Sequence, residues 1–268
     1  MAKLKKQHMT IHWKAIVQDD SSIPATEATL KEKATLVGRI GLMMLSVGTG
    51  AWRVRNSMNK VARCLGITCT ADIGLLAISY TCIEGTDTYT QSISNPTTGV
   101  NTHKLMQLEL FMKEFPDKVS TYSVKHIHEV LDEIQKLPAN YKAWNLGLAS
   151  ALACGAFTFL LGGGPVEMCC AFLGAGVGNF VRKKMLGHSI SLLANVAVSV
   201  AASCLVYVLT ILLAQSLLSV SAVHQAGYIC AMLFVIPGFP LITGGIDLAK
   251  LDLRSGLERV SYALLIIL

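Results

Sequence analysis

The chain has 268 residues; 52% are hydrophobic, only 15% are charged, and the mean hydropathy is +0.51. Soluble domains carry about 25% charged residues, so this composition excludes an ordinary soluble protein and a disordered one alike. The net charge of +6 calls for no nucleic acid, because Lys and Arg sit where a cytoplasmic membrane face wants them and no RNA- or DNA-reading motif occurs.

Charge is concentrated in residues 1–140 and long apolar runs in 144–268, which predicts a soluble N-terminal domain joined to a membrane domain. Residues 1–25 read as a flexible tail. Met1-Ala2-Lys3-Leu4-Lys5-Lys6 is followed by polar sequence, not by the apolar core of a secretory signal. A helix is expected from Thr26 or Thr29 through Met44, with apolar residues recurring at three and four. Gly48-Thr49-Gly50 interrupts it. A second helix is expected over Trp52–Leu65, stopped by Gly66. Ile67–Ile83 reads as one strand, Glu84-Gly85-Thr86-Asp87 as a turn and Thr88–Ser94 as the returning strand of a hairpin. Asn95–Gly99 is a loop. Helices resume over 101–115 and 120–137, separated by Phe115-Pro116-Asp117. Residues 26–141 therefore form a small, mixed α/β, cytoplasmic domain.

Residues 142–268 predict about five membrane helices: Trp144–Leu161, Val166–Val181, Ile190–Leu213, Tyr228–Gly244 and Ser255–Leu268. The fold class is mainly α, a polytopic helical membrane protein. Lys142, then Arg182-Lys183-Lys184, then Lys250, Arg254 and Arg259 mark the cytoplasmic side, and the loops after the first and third spans hold no Lys or Arg. The second span is rich in small residues (Gly174, Ala175, Gly176, Gly178) that let helices approach closely. The last span is short for a full crossing: either the helix is unusually short, or a partner or a missing tail completes it. The fourth span is broken. Pro237 and Pro240 each remove a backbone donor, with Gly238 between them. A broken helix at membrane depth is where transporters place substrate. A helix that simply ends at the interface in a Pro-Gly turn is the alternative.

The eight cysteines form no CxxC pair, and at least five lie in apolar runs. Reduced thiols are expected, with no zinc and no disulfide framework. His126 and His128 are two apart on a helix and point in different directions, so they read as solvated histidines, not metal ligands. No HExxH, GxSxG or phosphate loop is present, and no cofactor is implied.

Gly238-Phe239-Pro240-Leu241-Ile242, Asp247-Leu248 and Ser255-Gly256-Leu257-Glu258-Arg259 together resemble the threonine/serine exporter family. Gly38-Arg39-Ile40-Gly41-Leu42, Gly48-Thr49-Gly50-Ala51 and Leu65-Gly66 are similar to that family's opening helices, as is Asn101-Thr102-His103-Lys104-Leu105. The likeness is closest to the version split into two polypeptides, whose larger member this chain resembles. It implies an inner-membrane exporter of small amino or carboxylic acids, driven by the proton gradient. It also implies a second, smaller membrane subunit, and a link to succinate. Where the family often has an acid after the early glycine turn, Ala51-Trp52-Arg53 stands here.

Candidate substrate or coupling residues follow from chemistry at membrane depth. Glu167, after Gly164-Pro165 at the start of the second span, reads either as a proton-coupling carboxylate or as an interfacial acid stabilised by a helix N-terminus. Asp247 reads as a partner of Arg254 or Arg259, a contact for a substrate ammonium, or a plain helix-end acid. Asn179 and Asn195 are amides within apolar spans and read first as bonds between helices. Thr243, with the carbonyls freed near Pro237, Gly238 and Pro240, is a candidate polar contact; Gln215 and His224 are weaker ones. The leading reading is a transporter subunit, not an enzyme, in contact with lipid and with a smaller subunit or further copies of itself. A regulatory or scaffold subunit, and a membrane-tethered hydrolase in the N-terminal domain, remain the alternatives.

Overall fold

The computed structural model describes residues 13, 23–95, 99–138, 141–186, 190–218 and 225–268. Most of the expected tail over 1–25, part of the 95–99 loop and His224 fall outside them. The described residues are 71% helical with one small sheet, and the chain divides into two units. The first comprises residues 1–138 and 239–262; the second comprises 139–238 and 263–268.

In the first unit, α1 (Leu30–Ser46) starts where Thr29 accepts from Glu32 N and the Glu32 carboxylate reaches back to Thr29 N, a reciprocal cap. Gly48, at φ +90°, ends it with a conformation that L side chains resist. The second helix, α2 (Ala51–Cys64), starts one residue before the expected Trp52 and stops at Gly66, at φ +74°. The expected single strand over Ile67–Ile83 is two strands, β1 (Thr68–Ile73) and β2 (Ala77–Glu84), folded back at Gly74-Leu75-Leu76. A continuous β-branched run hides such a turn, because only Gly74 marks it. With β3 (Asp87–Ser94) they form an antiparallel sheet in the order β1-β2-β3.

The core-facing row of the sheet places Ile73, Ile78, Tyr80, Cys82 and Ile93 against Leu36, Val37, Ile40 and Met44 of α1. Gly38 matters here, since a Cβ would collide with the Tyr80 ring. The next helix, α3 (Thr102–Lys118), runs through Pro116 instead of ending before it. Proline removes the bond to the carbonyl four residues back, which is that of Met112. Lys60 Nζ donates to that oxygen at 2.7 Å, so the helix continues. The unit's core also includes α4 (Val124–Lys136).

His126 is exposed, but His128 is not the solvated histidine expected; it is 1% exposed. Arg39, equally buried, donates from Nη1 to His128 Nδ1 at 2.8 Å and to His128 O at 2.9 Å, and from Nη2 to Asp132. A helix of mixed polarity carries no mark saying which histidine faces inward. The tertiary packing of α1 on α4 decides that.

In the second unit, α5 (Ala143–Leu160), α6 (Pro165–Met185) and α7 (Leu192–Leu218) follow in order, then the short α8 (Gln225–Ala231) and a 3-10 turn, Leu233–Val235. By length and composition α5 and α7 are able to cross a membrane, and the pair bent by 70° near Pro237 adds a third only where its two halves are one span rather than a re-entrant loop. The break lies at Ile236-Pro237. Pro240 falls within the first turn of α9 (Gly238–Ala249), where a proline costs little. The last helix is α10 (Leu253–Ile267).

Candidate functional site

The second unit packs apolar helices around a buried polar seam. On α7, Asn195, Ser199, Ser203 and Tyr207 recur every four residues, and each is at most 2% exposed. Spacing of four lays them along one helix face. Gly174 and Gly178 of α6 let that face approach. A Cβ on Gly178 would lie 2.7 Å from Ser203 Cβ, and one on Gly174 would lie 2.9 Å from Ser203 O. Glycine within a helix costs about 1 kcal/mol relative to alanine, and close packing offsets it.

Most groups in the seam find partners. Ser203 Oγ donates to Ala231 O at 2.7 Å, and Ser199 Oγ donates to Val196 O at 2.8 Å. Asn195 Nδ2 donates to Arg182 O at 3.3 Å, but Asn195 Oδ1 meets no donor among the described residues. Asn179 Nδ2 donates to Leu146 O of α5 at 3.0 Å, the interhelical bond its position suggests. Arg182 Nη1 donates to Phe234 O at 3.0 Å. That carbonyl is free because Gly238 N, four residues on, bonds Ile236 O instead. The broken helix is thus satisfied by a cation from α6, as non-helical backbone in an apolar setting requires.

Glu167 lies at the other end of α6. The two ends are about 22 Å apart at 1.5 Å per residue. Glu167 is 9% exposed, and its Oε2 accepts from Gly164 N at 2.8 Å, closing the first turn of α6. Tyr207 and Glu167 both crowd Gly227, where a Cβ would lie 3.0 Å from Glu167 Cβ and closer still to the Tyr207 hydroxyl. The seam therefore runs from a buried acid beside Tyr207 to a cation and an amide with an open acceptor. The period-four polar spacing on α7 was legible in the sequence, but reading α7 for apolar content singled out Asn195 alone.

The other candidates lie in or at the edge of the first unit. Asp247 is fully buried. Its carboxylate accepts from Ala51 N at 3.0 Å on both oxygens and from Ser255 Oγ at 2.9 Å, and Arg259 Nε stands 3.3 Å away. Arg259 in turn donates to Gly48 O and Thr49 O at 3.3 and 2.8 Å. The acid thus caps α2, whose N-cap, Gly50, has no side chain to do so. A Cβ on Gly50 would lie 2.9 Å from Asp247 Oδ1, so glycine is what admits the carboxylate. The glycine turn and the Asp247–Arg259 segment, far apart in sequence, form one buried cluster. Arg254 pairs with Asp72 and Glu258, not with Asp247. Thr243 Oγ1 bonds back to Phe239 O at 2.9 Å within its own helix. Pro237 and Gly238 stand at the break itself. Among the described residues, no group of three or more His, Cys, Asp or Glu is placed to hold a metal.

Residues 35–268 match the family model described as "Putative threonine/serine exporter". Among curated relatives, the "Probable succinate transporter subunit YjjP" of Klebsiella aerogenes is 25% identical over 230 residues, covering 85% of each chain. The protein of the same name from Escherichia coli strain K12 is 24% identical over 229 residues, 85% of this chain and 86% of that one. No solved structure matches the chain significantly. The segments that meet around Asp247 and the seam beneath α7 both lie within the matched region, and the chain belongs to the threonine/serine exporter family, a family of membrane transporters.

Proposed function

We propose that the chain is one subunit of a proton-driven exporter of small carboxylic acids, either threonine- and serine-like amino acids or succinate-like dicarboxylates. On this reading it works in the inner (plasma) membrane with a second, smaller membrane subunit, its N-terminal domain in the cytoplasm. The observation that carries the reading is the polar seam, a buried line of hydroxyls and amides between apolar helices with Glu167 at one end and Arg182 at the other. An acid buried among apolar helices, as Glu167 is, is costly and marks an ion or substrate path. Glu167 is assigned the coupling proton, which a carboxyl group binds and releases. Arg182 and the Asn195 amide are assigned the substrate, since a guanidinium matches a carboxylate and the open Oδ1 suits an ammonium or a carboxyl O–H. Support for a partner subunit comes from the relatives, which are named as subunits, and from the few spans available for alternating access. Asp247, held by three groups, is assigned to structure rather than to substrate.

The test is efflux of labelled threonine, serine and succinate from cells lacking native exporters. This chain and a small-subunit partner are co-expressed, with and without collapse of the proton gradient. Efflux that needs both chains and falls with the gradient is expected. Absence of efflux for all three, with the chain inserted and paired, would overturn the proposal.

A further inference from the structure

Cys69 and Cys82 stand opposite each other in the β1–β2 pairing. Antiparallel partners alternate between hydrogen-bonded pairs and closer, non-hydrogen-bonded pairs with Cα atoms about 4.5 Å apart. Both ends of the sheet fix which kind this is. Gly74 N donates to Ala77 O at 2.8 Å. Counting by twos from that bonded pair makes Asp72/Ser79 and Thr70/Thr81 bonded and leaves Cys69/Cys82 non-bonded. On the other side of β2, the tight Gly85-Thr86 turn closes on the Glu84/Asp87 pair, and the same count gives the Cys82 backbone bonds to Tyr89. A residue in an antiparallel ladder points its N–H and C=O at one neighbour, so the two counts agree. A Cα spacing of about 4.5 Å lies within the 4.4–6.8 Å that a disulfide spans.

The side chains complete the case. Cys82 is fully buried under α1, whereas Cys69 is half-buried near the surface. The two sulfurs are close enough to act on each other, and Cys69 Sγ also lies 3.8 Å from Thr70 O. Interaction with Cys82 holds the Cys69 thiol below its ordinary range, and interaction with Cys69 together with burial pushes Cys82 up. One sulfur is thus reachable and inclined to be a thiolate, and the other is sheltered beside it.

We propose that Cys69 and Cys82 are a peroxide-responsive pair that closes into a cross-strand disulfide. The Cys69 thiolate attacks hydrogen peroxide; an S–O bond forms, the O–O bond breaks, and the departing hydroxide takes up a proton to leave as water. Cys82 then attacks the Cys69 sulfenic acid; the S–S bond forms, the S–O bond breaks, and the oxygen leaves as a second water with the Cys82 proton. The two sulfurs lose two electrons together and the peroxide gains them.

The experiment treats the full chain, in membranes, with hydrogen peroxide and then blocks remaining thiols. Digestion by a protease cutting after Asp72 and Glu84 puts the two cysteines on separate peptides. A linked Cys69–Cys82 peptide pair, two hydrogens lighter than its parts and released by dithiothreitol, is expected. In Cys82→Ala, dimedone labelling of Cys69 should rise severalfold, because nothing resolves the sulfenic acid. The native-chain map stands even if that variant misfolds. Bridging of Cys69 to Cys64 instead, or Cys69 and Cys82 both recovered as thiols when exposed Cys169 is oxidised, would overturn the proposal.

Discussion

Glu167 and His128 show how burial gives a single side chain its role. Glu167 serves α6 as a cap and, on the proposal above, serves transport as a proton carrier. The two roles separate in Glu167→Gln, which keeps an oxygen for Gly164 N but loses the titrating proton. Efflux in that variant is expected to fall to background with membrane insertion unchanged, as read by labelled-substrate efflux beside immunoblotting of membrane fractions. Glu167→Ala, which also removes the cap, should in addition cost about 1 kcal/mol of stability. His128 is held neutral. Burial first, then the facing Arg39 guanidinium, lowers it from the usual 6.5 to about 3, and Asp132 opposes the shift only in part. Between those values the unfolded chain binds a proton that the folded chain does not. Stability is therefore complete above about pH 6.5 and lost as pH falls toward 3, by up to about 1.4 kcal/mol per pH unit. Denaturant unfolding of the full chain in detergent across that window, beside His128→Gln, checks it. The pH slope should flatten in the variant.

At the scale of elements, two carbonyls left free beside prolines find cations from elsewhere in their own unit. Pro116 frees Met112 O for Lys60, and the Pro237 break frees Phe234 O for Arg182. Lys60→Met should destabilise the first unit by about 1 kcal/mol. Pro116→Ala, which restores the helical N–H, should abolish most of that penalty in the double variant. Thermal unfolding of the four chains of this cycle decides it. The Asp247–Arg259 pair ties α9 and α10 to the start of α2. Removing one member of a buried pair leaves the other charge unpaired, so Arg259→Met is expected to cost about 3–5 kcal/mol. Asp247→Asn with Arg259→Met should recover part of this loss, which a double-mutant cycle reads directly.

For the whole molecule, the division of the chain into units departs from a simple N-terminal and C-terminal split. Residues 239–262, beyond the broken helix, group with the N-terminal helices and sheet. Topology is the prediction at this scale. With Lys142 and Arg182-Lys183-Lys184 on the cytoplasmic side, a reporter active only outside the cytoplasm should be silent when fused after residue 142 or 186. It should be active when fused after residue 163. Activity at 142 would invert the proposed orientation.

What the sequence by itself determined is what local physics controls. The capping pair Thr29–Glu32, the glycine stops at 48 and 66, the Gly85-Thr86 turn and the proline break at 237 each act through neighbours in the chain. The apolar lengths of α5 and α7 needed no partner to be read. Tertiary structure alone decided which polar groups are enclosed. Nothing near Asp247 in the sequence says that its carboxylate meets Ala51 N, nor near His128 that Arg39 will face it, because those contacts join residues 196 and 89 positions apart. The seam on α7 lies between these cases. Its spacing is written in the chain, but its burial depends on Gly174 and Gly178 bringing α6 close enough to cover it.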